Sequence, residues 1–292
     1  MVANKEMTRV GLIQMSCSPK PKENLDKAIS LLTQAVEKGA KVICLPELFA
    51  TQYFCQKEEQ RHFEFAETIP GPTTQALSAF AVQHKVVVIA PLFEKRGKGI
   101  YHNSAVVLGP DGKILSHYRK MHIPDDPLFY EKYYFAGGDL GFLAVNTPTA
   151  RLGVLICWDQ WFPEGARLTA LKGADILFYP TAIGWISEDD KPTQIAQHEA
   201  WETMQRSHAI ANGVFVVAVN RVGKESEIQF WGSSFVADPM GRVIKRAYAD
   251  KEEVLVVDCD LSLIEHTRQQ WPFLRDRRVD AYEGLTARYL DK

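Results

Sequence analysis

The chain has 292 residues, of which 46% are hydrophobic and 24% are charged, ordinary proportions for a globular protein. Its formal net charge of −2 gives no electrostatic basis for binding nucleic acid or a membrane surface. No apolar stretch approaches the length of a membrane span, and the first nine residues are polar, without a signal core. Five widely spaced cysteines without a Cys-x-x-Cys pair predict neither a disulfide framework nor a zinc site. We therefore expect a cytoplasmic protein without nucleic-acid or membrane partners.

Short apolar runs alternate with helical patterns along the whole chain. The predicted strands are, in chain order, 10–15, 42–45, 86–90, 104–108, 113–118, 142–145, 152–156, 176–179, 214–220, 234–237, 243–246 and 254–258. The predicted helices are 24–38, 73–84, 163–172 and 192–211. Strands that alternate with helices in this way predict an α/β fold.

Nothing divides the chain into separate domains, because no Gly/Ser-rich or charge-rich linker interrupts it. We therefore predict a single domain over 1–292. Two segments, 107–114 and 236–243, share a strand, a Pro-x-Gly turn and a second strand. They fit either a pseudo-repeat of two similar halves or simply a common type of hairpin. The tail 267–292 has aromatic and arginine residues with little periodicity, and we expect it to pack on a partner subunit or on its own.

Cys157 is the most informative single residue. It ends the apolar run 152–156, a predicted buried strand, and the chain then turns towards a helix that starts at Pro163. A thiol at such a junction lies near backbone N–H groups and the positive end of a helix dipole, both of which favour a thiolate. The alternative is a buried structural cysteine, the commonest fate of a free thiol.

Two other predicted strands end in an ionisable residue. Strand 42–45 leads to Glu47, and strand 113–118 leads to Lys120. Because ligands of such sheets collect beyond the strand ends, these side chains can converge with Cys157. Glu47 would then act as general base, Lys120 would hold the anion that forms on the substrate, and Cys157 would attack carbon.

Three segments around these residues resemble the signatures of the carbon–nitrogen hydrolase (nitrilase) superfamily. They are Leu45-Pro46-Glu47, Tyr118-Arg119-Lys120 and Cys157-Trp158-Asp159, in the family's order, and the resemblance spans residues 10 to about 289. It implies an α/β fold in the form of a four-layer α-β-β-α sandwich, a Glu47-Lys120-Cys157 triad, and homodimers or larger homo-oligomers. It also implies that Glu131 supports the lysine and the leaving nitrogen, and that the Trp158 N–H helps to bind the oxyanion.

The residues after Cys157 bear on which bond is cut. Nitrile-cleaving relatives usually have Glu where this chain has Asp159, and hydrolases of carbamoyl amino acids have an arginine where this chain has Gln160 and Trp161. The resemblance therefore favours a small-molecule ureide with a cationic amine tail, which would yield an amine, CO₂ and ammonia. Another small amide or ureide, and a non-catalytic binding module on the same fold, stay open as alternatives.

Such a substrate needs a long slot with apolar or aromatic walls and an acidic or π-rich end. The candidate wall residues are Tyr53, Phe54, Tyr130, Trp161 and Trp185, and the candidate acids are Asp125, Asp126, Glu188, Asp189 and Asp190. The predicted substrate-binding set is Tyr53, Tyr130, Trp158, Asp159, Trp161, Trp185 and Glu188. No metal or other cofactor is expected, since His198-Glu199 is followed by Glu202 where a helical zinc motif requires a second histidine.

Overall fold

The computed structural model describes residues 7–291, which form strands β1–β15 and α-helices α1–α5. The strands are β1 Met7–Gln14, β2 Val42–Cys44, β3 Val87–Gly97, β4 Ile100–Leu108, β5 Ile114–Arg119, β6 Ala144–Asn146, β7 Arg151–Val154, β8 Ile176–Pro180, β9 Gly184–Ile186, β10 Phe215–Val219, β11 Val222–Glu225, β12 Ile228–Trp231, β13 Phe235–Ala237, β14 Val243–Arg246 and β15 Glu253–Asp260. The helices are α1 Pro21–Glu37, α2 Pro72–His84, α3 Pro163–Leu171, α4 Lys191–Asn212 and α5 Ser262–Gln270.

Two six-stranded sheets form the centre of the molecule. The first has the order β15-β1-β2-β3-β4-β5, and the second has the order β14-β13-β10-β8-β7-β6. Side chains from both sheets, such as Leu12 and Phe178, share one buried apolar cluster. Each strand of that cluster therefore buries one face against the opposite sheet.

Helices cover the outer face of each sheet. Leu32 of α1 and Leu77 of α2 pack on the first sheet, while Ala166 of α3 and Trp201 of α4 pack on the second. The layers therefore run helix, sheet, sheet, helix, which confirms the predicted α-β-β-α sandwich. Within residues 7–291, no helix is both long and apolar enough to cross a membrane.

Local sequence explains where the helices begin and end. Proline is the first residue of α1, α2 and α3, where its missing N–H needs no partner. The carboxylate of Asp190 caps α4 by accepting a hydrogen bond from the Thr193 N–H at 2.9 Å. Gly213 ends α4 with a φ of 57°, a left-handed conformation that suits glycine.

The structure adds elements that the sequence pattern did not predict. Strands β9, β11 and β12 form a separate three-stranded sheet, and α5 follows β15. The strands of that sheet have only three or four residues, too few for a periodic signal. The two Pro-x-Gly hairpins are β4–β5 and β13–β14, and each lies at an edge of its own sheet.

Candidate active site

The two sheets each contribute part of a buried polar cluster. Glu47 follows β2, and Lys120 follows β5, both strands of the first sheet. Cys157 follows β7 of the second sheet and begins a short 3-10 helix, Cys157–Trp161. All three side chains are buried, so the strand ends bring these predicted groups to one place between the sheets.

Lys120 is the centre of this cluster. Its ammonium donates to Glu47 Oε1 at 2.8 Å and to Glu131 Oε2 at 2.7 Å. All three side chains have 0% exposure, so a single buried cation neutralises one of two buried carboxylates. Buried charges need such partners, because an isolated charge in the interior is very costly.

Two neutral side chains complete the hydrogen bonding of the carboxylates. Tyr53 donates its hydroxyl proton to Glu131 Oε1 at 2.7 Å. The Asn103 amide donates to Glu47 Oε1 at 2.7 Å and to Glu131 Oε2 at 3.4 Å. Glu47 Oε2 is buried and has no hydrogen-bond partner among residues 7–291. That oxygen is therefore free to accept a proton.

The backbone at Cys157 has an unusual conformation. Its φ is 41°, in the left-handed region that non-glycine residues rarely adopt. Asp159 supports this turn, because its Oδ2 accepts hydrogen bonds from the Ile156 N–H at 2.9 Å and from the Tyr118 hydroxyl at 2.7 Å. The thiol of Cys157 lies 3.8 Å from the Ala182 carbonyl oxygen. Strain held in place by surrounding contacts is typical of functional positions.

The charges in the cluster act on one another. Burial raises the pKa of the Cys157 thiol well above its ordinary value; Glu47 raises it further and Lys120 opposes the rise. Burial would lower the pKa of Lys120, but Glu131 and Glu47 outweigh this and hold it well above normal. Burial also raises the pKa of Glu131 to about 7, despite the opposing effect of Lys120. A thiol with such a raised pKa is neutral at ordinary pH and would need a base before it could act as a nucleophile.

A buried ion pair holds the loop that carries Glu47. Arg221 donates to the backbone carbonyls of Glu47, Leu48 and Thr51 and pairs with Glu225 at 2.9 Å. Glu225 also accepts a hydrogen bond from the Tyr53 N–H at 2.6 Å. The pair therefore fixes the backbone that positions Glu47.

A cavity of about 390 Å³ opens at Cys157. Its aromatic and polar lining includes Asp126, Phe129, Trp158, Trp161, Asp189, Gln197 and Trp231. Asp126 Oδ1, Gln197 Oε1 and the Trp161 indole N–H are buried without a partner in the described part of the chain. Among the described residues, no lysine or arginine lines the cavity. The space therefore offers aromatic faces and hydrogen-bond acceptors, several of them unused.

The structure places only some of the residues predicted to bind substrate in the cavity lining. Trp158 and Trp161 line the cavity, as expected for its walls. The Tyr53 hydroxyl instead holds Glu131, and Asp159 is a buried support of the Cys157 turn.

The other three predicted residues are not part of the cavity lining. Trp185 lies behind it, packed 5.4 Å from Trp231, and its indole N–H donates to the Gln194 carbonyl. Tyr130 is half-buried, with its N–H bonded to the Cys55 carbonyl, and Glu188 is exposed. Of the candidate acids, Asp126 and Asp189 line the cavity, whereas Asp190 is occupied as the cap of α4.

Sequence reasoning missed Asn103 and Arg221. Asn103 lies within β4, just before the run 104–108 that was predicted as a strand, and an amide side chain at the start of an otherwise apolar run was the available signal. The structure shows that this side chain is fully buried. Arg221 lies 174 positions along the chain from Glu47, and no local pattern connects them.

Comparisons with known proteins identify the family of this chain. The family model described as "Carbon-nitrogen hydrolase" matches residues 9–269. An N-carbamoylputrescine amidase of Oryza sativa subsp. japonica is 43% identical, covering 94% of this chain and 93% of the rice protein. A citrullinase of Francisella tularensis is 39% identical, covering 96% of this chain and 99% of that protein.

A solved structure of a carbon–nitrogen hydrolase from Helicobacter pylori G27 matches with a TM-score of 0.94 and 48% identity, covering 97% of this chain and 100% of that one. The sandwich and the near-complete coverage agree with the family model. This chain therefore belongs to the carbon–nitrogen hydrolase family and is a hydrolase of carbon–nitrogen bonds other than peptide bonds.

Proposed function

We propose that this enzyme hydrolyses N-carbamoylputrescine to putrescine, CO₂ and ammonia, a step of polyamine biosynthesis. The observation that carries the proposal is the cavity at Cys157, which combines aromatic walls with the unpartnered carboxylate oxygen of Asp126. The similarity to plant N-carbamoylputrescine amidases at 41–43% identity supports it. The reaction uses Cys157 as nucleophile, Glu47 as base and Lys120 as the cation.

The first half of the reaction forms a covalent intermediate. Glu47 Oε2 accepts the thiol proton while sulfur attacks the ureido carbon. The developing oxyanion is bound by Lys120 and the Trp158 N–H, which lies at the start of a 3-10 helix, where backbone donors lack helical partners. The proton then passes to the leaving NH₂ group, the C–N bond breaks, and ammonia departs. Glu131 keeps Lys120 in place and supports the leaving nitrogen.

The second half frees the enzyme. Glu47, again ionised, takes a proton from water as the hydroxide adds to the S-carbamoyl carbon, and the C–S bond then breaks. The thiolate recovers its proton, and the released carbamate loses CO₂ to give the amine. Each turnover consumes one water molecule, and no oxidant, reductant or cofactor is required.

The amine end of the substrate matches the far part of the cavity. Burial raises the pKa of Asp126, although its own backbone N–H and the charge of Lys120 oppose the rise. No lysine or arginine among the described residues lines the cavity to pair with it as a cation. A protonated amine would supply that cation, with Asp189 and Gln197 Oε1 as further acceptors. The aromatic faces of Trp158 and Trp161 would border the methylene chain.

Substrates with a carboxylate tail fit this cavity less well. Citrulline, carbamoyl-β-alanine and ω-amides all carry an anionic group, and no described lysine or arginine lines the cavity to pair with it. A carboxylate next to Asp126 would also meet like charge. These substrates are therefore the alternatives that an assay must compare directly.

The test measures ammonia release from N-carbamoylputrescine, citrulline and butylurea, a neutral ureide without the amine. We expect Asp126→Asn to lower kcat/KM for N-carbamoylputrescine about 10- to 100-fold, the range for a lost hydrogen bond to a charged group, and to leave butylurea nearly unchanged. Asp125→Asn is the matched control, since Asp125 is exposed and is not part of the cavity lining. Faster turnover of citrulline than of N-carbamoylputrescine would contradict the proposal.

We also propose that 1–292 forms one domain that assembles into homodimers or larger oligomers, with the tail 267–292 packed on a partner subunit. The support is the tail's exposed apolar side chains, among them Trp271, Phe273, Leu285 and Leu290. We further propose a cytoplasmic location, since all five cysteines are free and thiols stay reduced in that compartment. Removal of the residues after Gln270 should lower the mass measured by light scattering to that of a smaller assembly. An unchanged mass would argue against the tail as the interface.

A further inference from the structure

Asn103 contacts Lys120 directly through its backbone and indirectly through two carboxylates that both residues bind. The backbone carbonyl of Asn103 accepts a hydrogen bond from the Lys120 N–H at 2.8 Å. The side-chain amide donates to the same two oxygens, Glu47 Oε1 and Glu131 Oε2, that the Lys120 ammonium contacts. Asn103 is fully buried. Its position next to the carboxylates is therefore set by the β4 backbone as well as by its side chain.

The two carboxylate oxygens of Glu47 differ in their hydrogen bonds. Oε1 accepts from both Lys120 and Asn103, whereas Oε2 is buried without a partner among residues 7–291. A carboxylate held only by a flexible lysine could rotate and exchange its oxygens. An amide on a central strand is a second, fixed contact that opposes this rotation.

We propose that Asn103 is a positioning residue that fixes the orientation of the Glu47 carboxylate, with Oε2 presented to the Cys157 thiol. An amide suits this task because it donates hydrogen bonds without adding charge to a site that already contains two carboxylates and one ammonium. The inference rests on the roles proposed for Glu47 and Cys157, and not on the identity of the amine substrate.

A chemical consequence separates this role from a purely structural one. Hydrogen bonds to an ionised carboxylate lower its pKa, so loss of the Asn103 amide should make the buried cluster, in which Glu131 has a pKa of about 7, take up a proton at higher pH. Loss of activity should then be greatest at acidic pH and should diminish as the pH rises. A general loss of packing would instead reduce activity by the same factor at every pH.

The experiment follows alkylation of Cys157 by iodoacetamide against pH, with intact-protein mass as the readout, because it requires no substrate. The variants are Asn103→Ala and Asn103→Leu, the second of which fills the vacated space if the first does not fold. The control is Ser104→Ala, the adjacent buried strand residue, whose hydroxyl donates to Glu94 and not to the cluster. A Cys157→Ala protein measures labelling of the other cysteines.

In the Asn103 variants, we expect the acidic limb of the labelling profile to shift by about one to two pH units towards higher pH. At a pH on that limb, labelling of Cys157 should then be about 10- to 100-fold slower than in the parent. Ser104→Ala should keep the parent profile. A folded Asn103→Leu protein with an unmoved limb would overturn the positioning role, whatever its absolute rate. Failure of the base role is distinguishable, because a Glu47→Gln protein would then be labelled as fast as its parent.

Discussion

Replacement of Lys120 by methionine is the most direct perturbation of the site. Methionine has a stem of similar length, so the change removes the ammonium with little loss of volume. Glu47 Oε1 and Glu131 Oε2 then lose donors at 2.8 Å and 2.7 Å and share only the amide of Asn103. Two buried carboxylates without a cation cannot both stay ionised, so the pair takes up a proton.

The expected loss follows from two effects. Removal of one oxyanion donor typically lowers turnover by about 10²- to 10³-fold. Uptake of a proton by the carboxylate pair leaves less of the base free to accept the thiol proton, which adds roughly another factor of ten. Together they predict a fall in kcat of about 10³- to 10⁴-fold. The protein should stay folded, because uptake of one proton keeps the buried cluster at the same net charge as in the parent.

The assay compares steady-state ammonia release and thermal unfolding of Lys120→Met with those of Lys132→Met. Lys132 is an exposed lysine in the short 3-10 helix that begins with Glu131, so it controls for loss of a nearby positive charge. Lys132→Met should retain parental activity. A folded Lys120→Met enzyme with a kcat within about tenfold of the parent would refute the role of the ammonium at the oxyanion.

Two further predictions use pKa shifts. Because the pKa of Glu131 is about 7, its carboxylate is ionised above that pH, and kcat/KM should fall as the pH drops through about 7. For Glu131→Gln, kcat/KM should be as low at every pH as it is for the parent at acidic pH. Burial would raise the pKa of Glu94, but hydrogen bonds from Arg119 and His117 hold it well below its usual value. Glu94 therefore stabilises the fold above its ordinary pKa, and this stabilisation is lost as the pH falls below it. Glu94→Gln should cost about 3 kcal/mol of unfolding free energy in urea at neutral pH, since it breaks a buried ion pair, and less at acidic pH.

One result would contradict each of these two predictions. A Glu131→Gln enzyme that still shows an acidic limb near neutral pH would assign that limb to another group. For Glu94, equal stability losses at neutral and acidic pH would mean that packing, and not its charge, accounts for the effect. The parent protein, measured at both pH values, supplies the reference.

The convergence of the three predicted catalytic groups was predictable because each follows a recognisable apolar strand. Glu47, Lys120 and Cys157 lie one to three residues beyond the last residue of β2, β5 and β7 in the structure. The sandwich was also predictable, through the resemblance carried by those same segments. Their roles in the reaction stay predictions, as does the assignment of Glu131.

The supporting contacts were not predictable, because they join distant parts of the chain. Asn103 reaches Glu47 across 56 positions, and Arg221 reaches it across 174. Asp159 was expected near the substrate, but the 3-10 helix turns its carboxylate back to the Ile156 N–H three residues earlier. Helical spacing after the cysteine, and not residue type, decides which of these side chains reaches the cavity.

The groups proposed to react come from opposite sheets of the sandwich. The sulfur belongs to one sheet, and the carboxylate and the ammonium belong to the other. The gap between them is set by apolar packing such as that of Leu12 and Phe178 and by hydrogen bonds such as that of Tyr118 to Asp159. A displacement of about 1 Å can cost an enzyme about 10²-fold in rate. Hydrostatic pressure or a bulky substitution between the two sheets should therefore lower turnover strongly before either sheet unfolds. The rate of turnover thus reports on the spacing between the sheets.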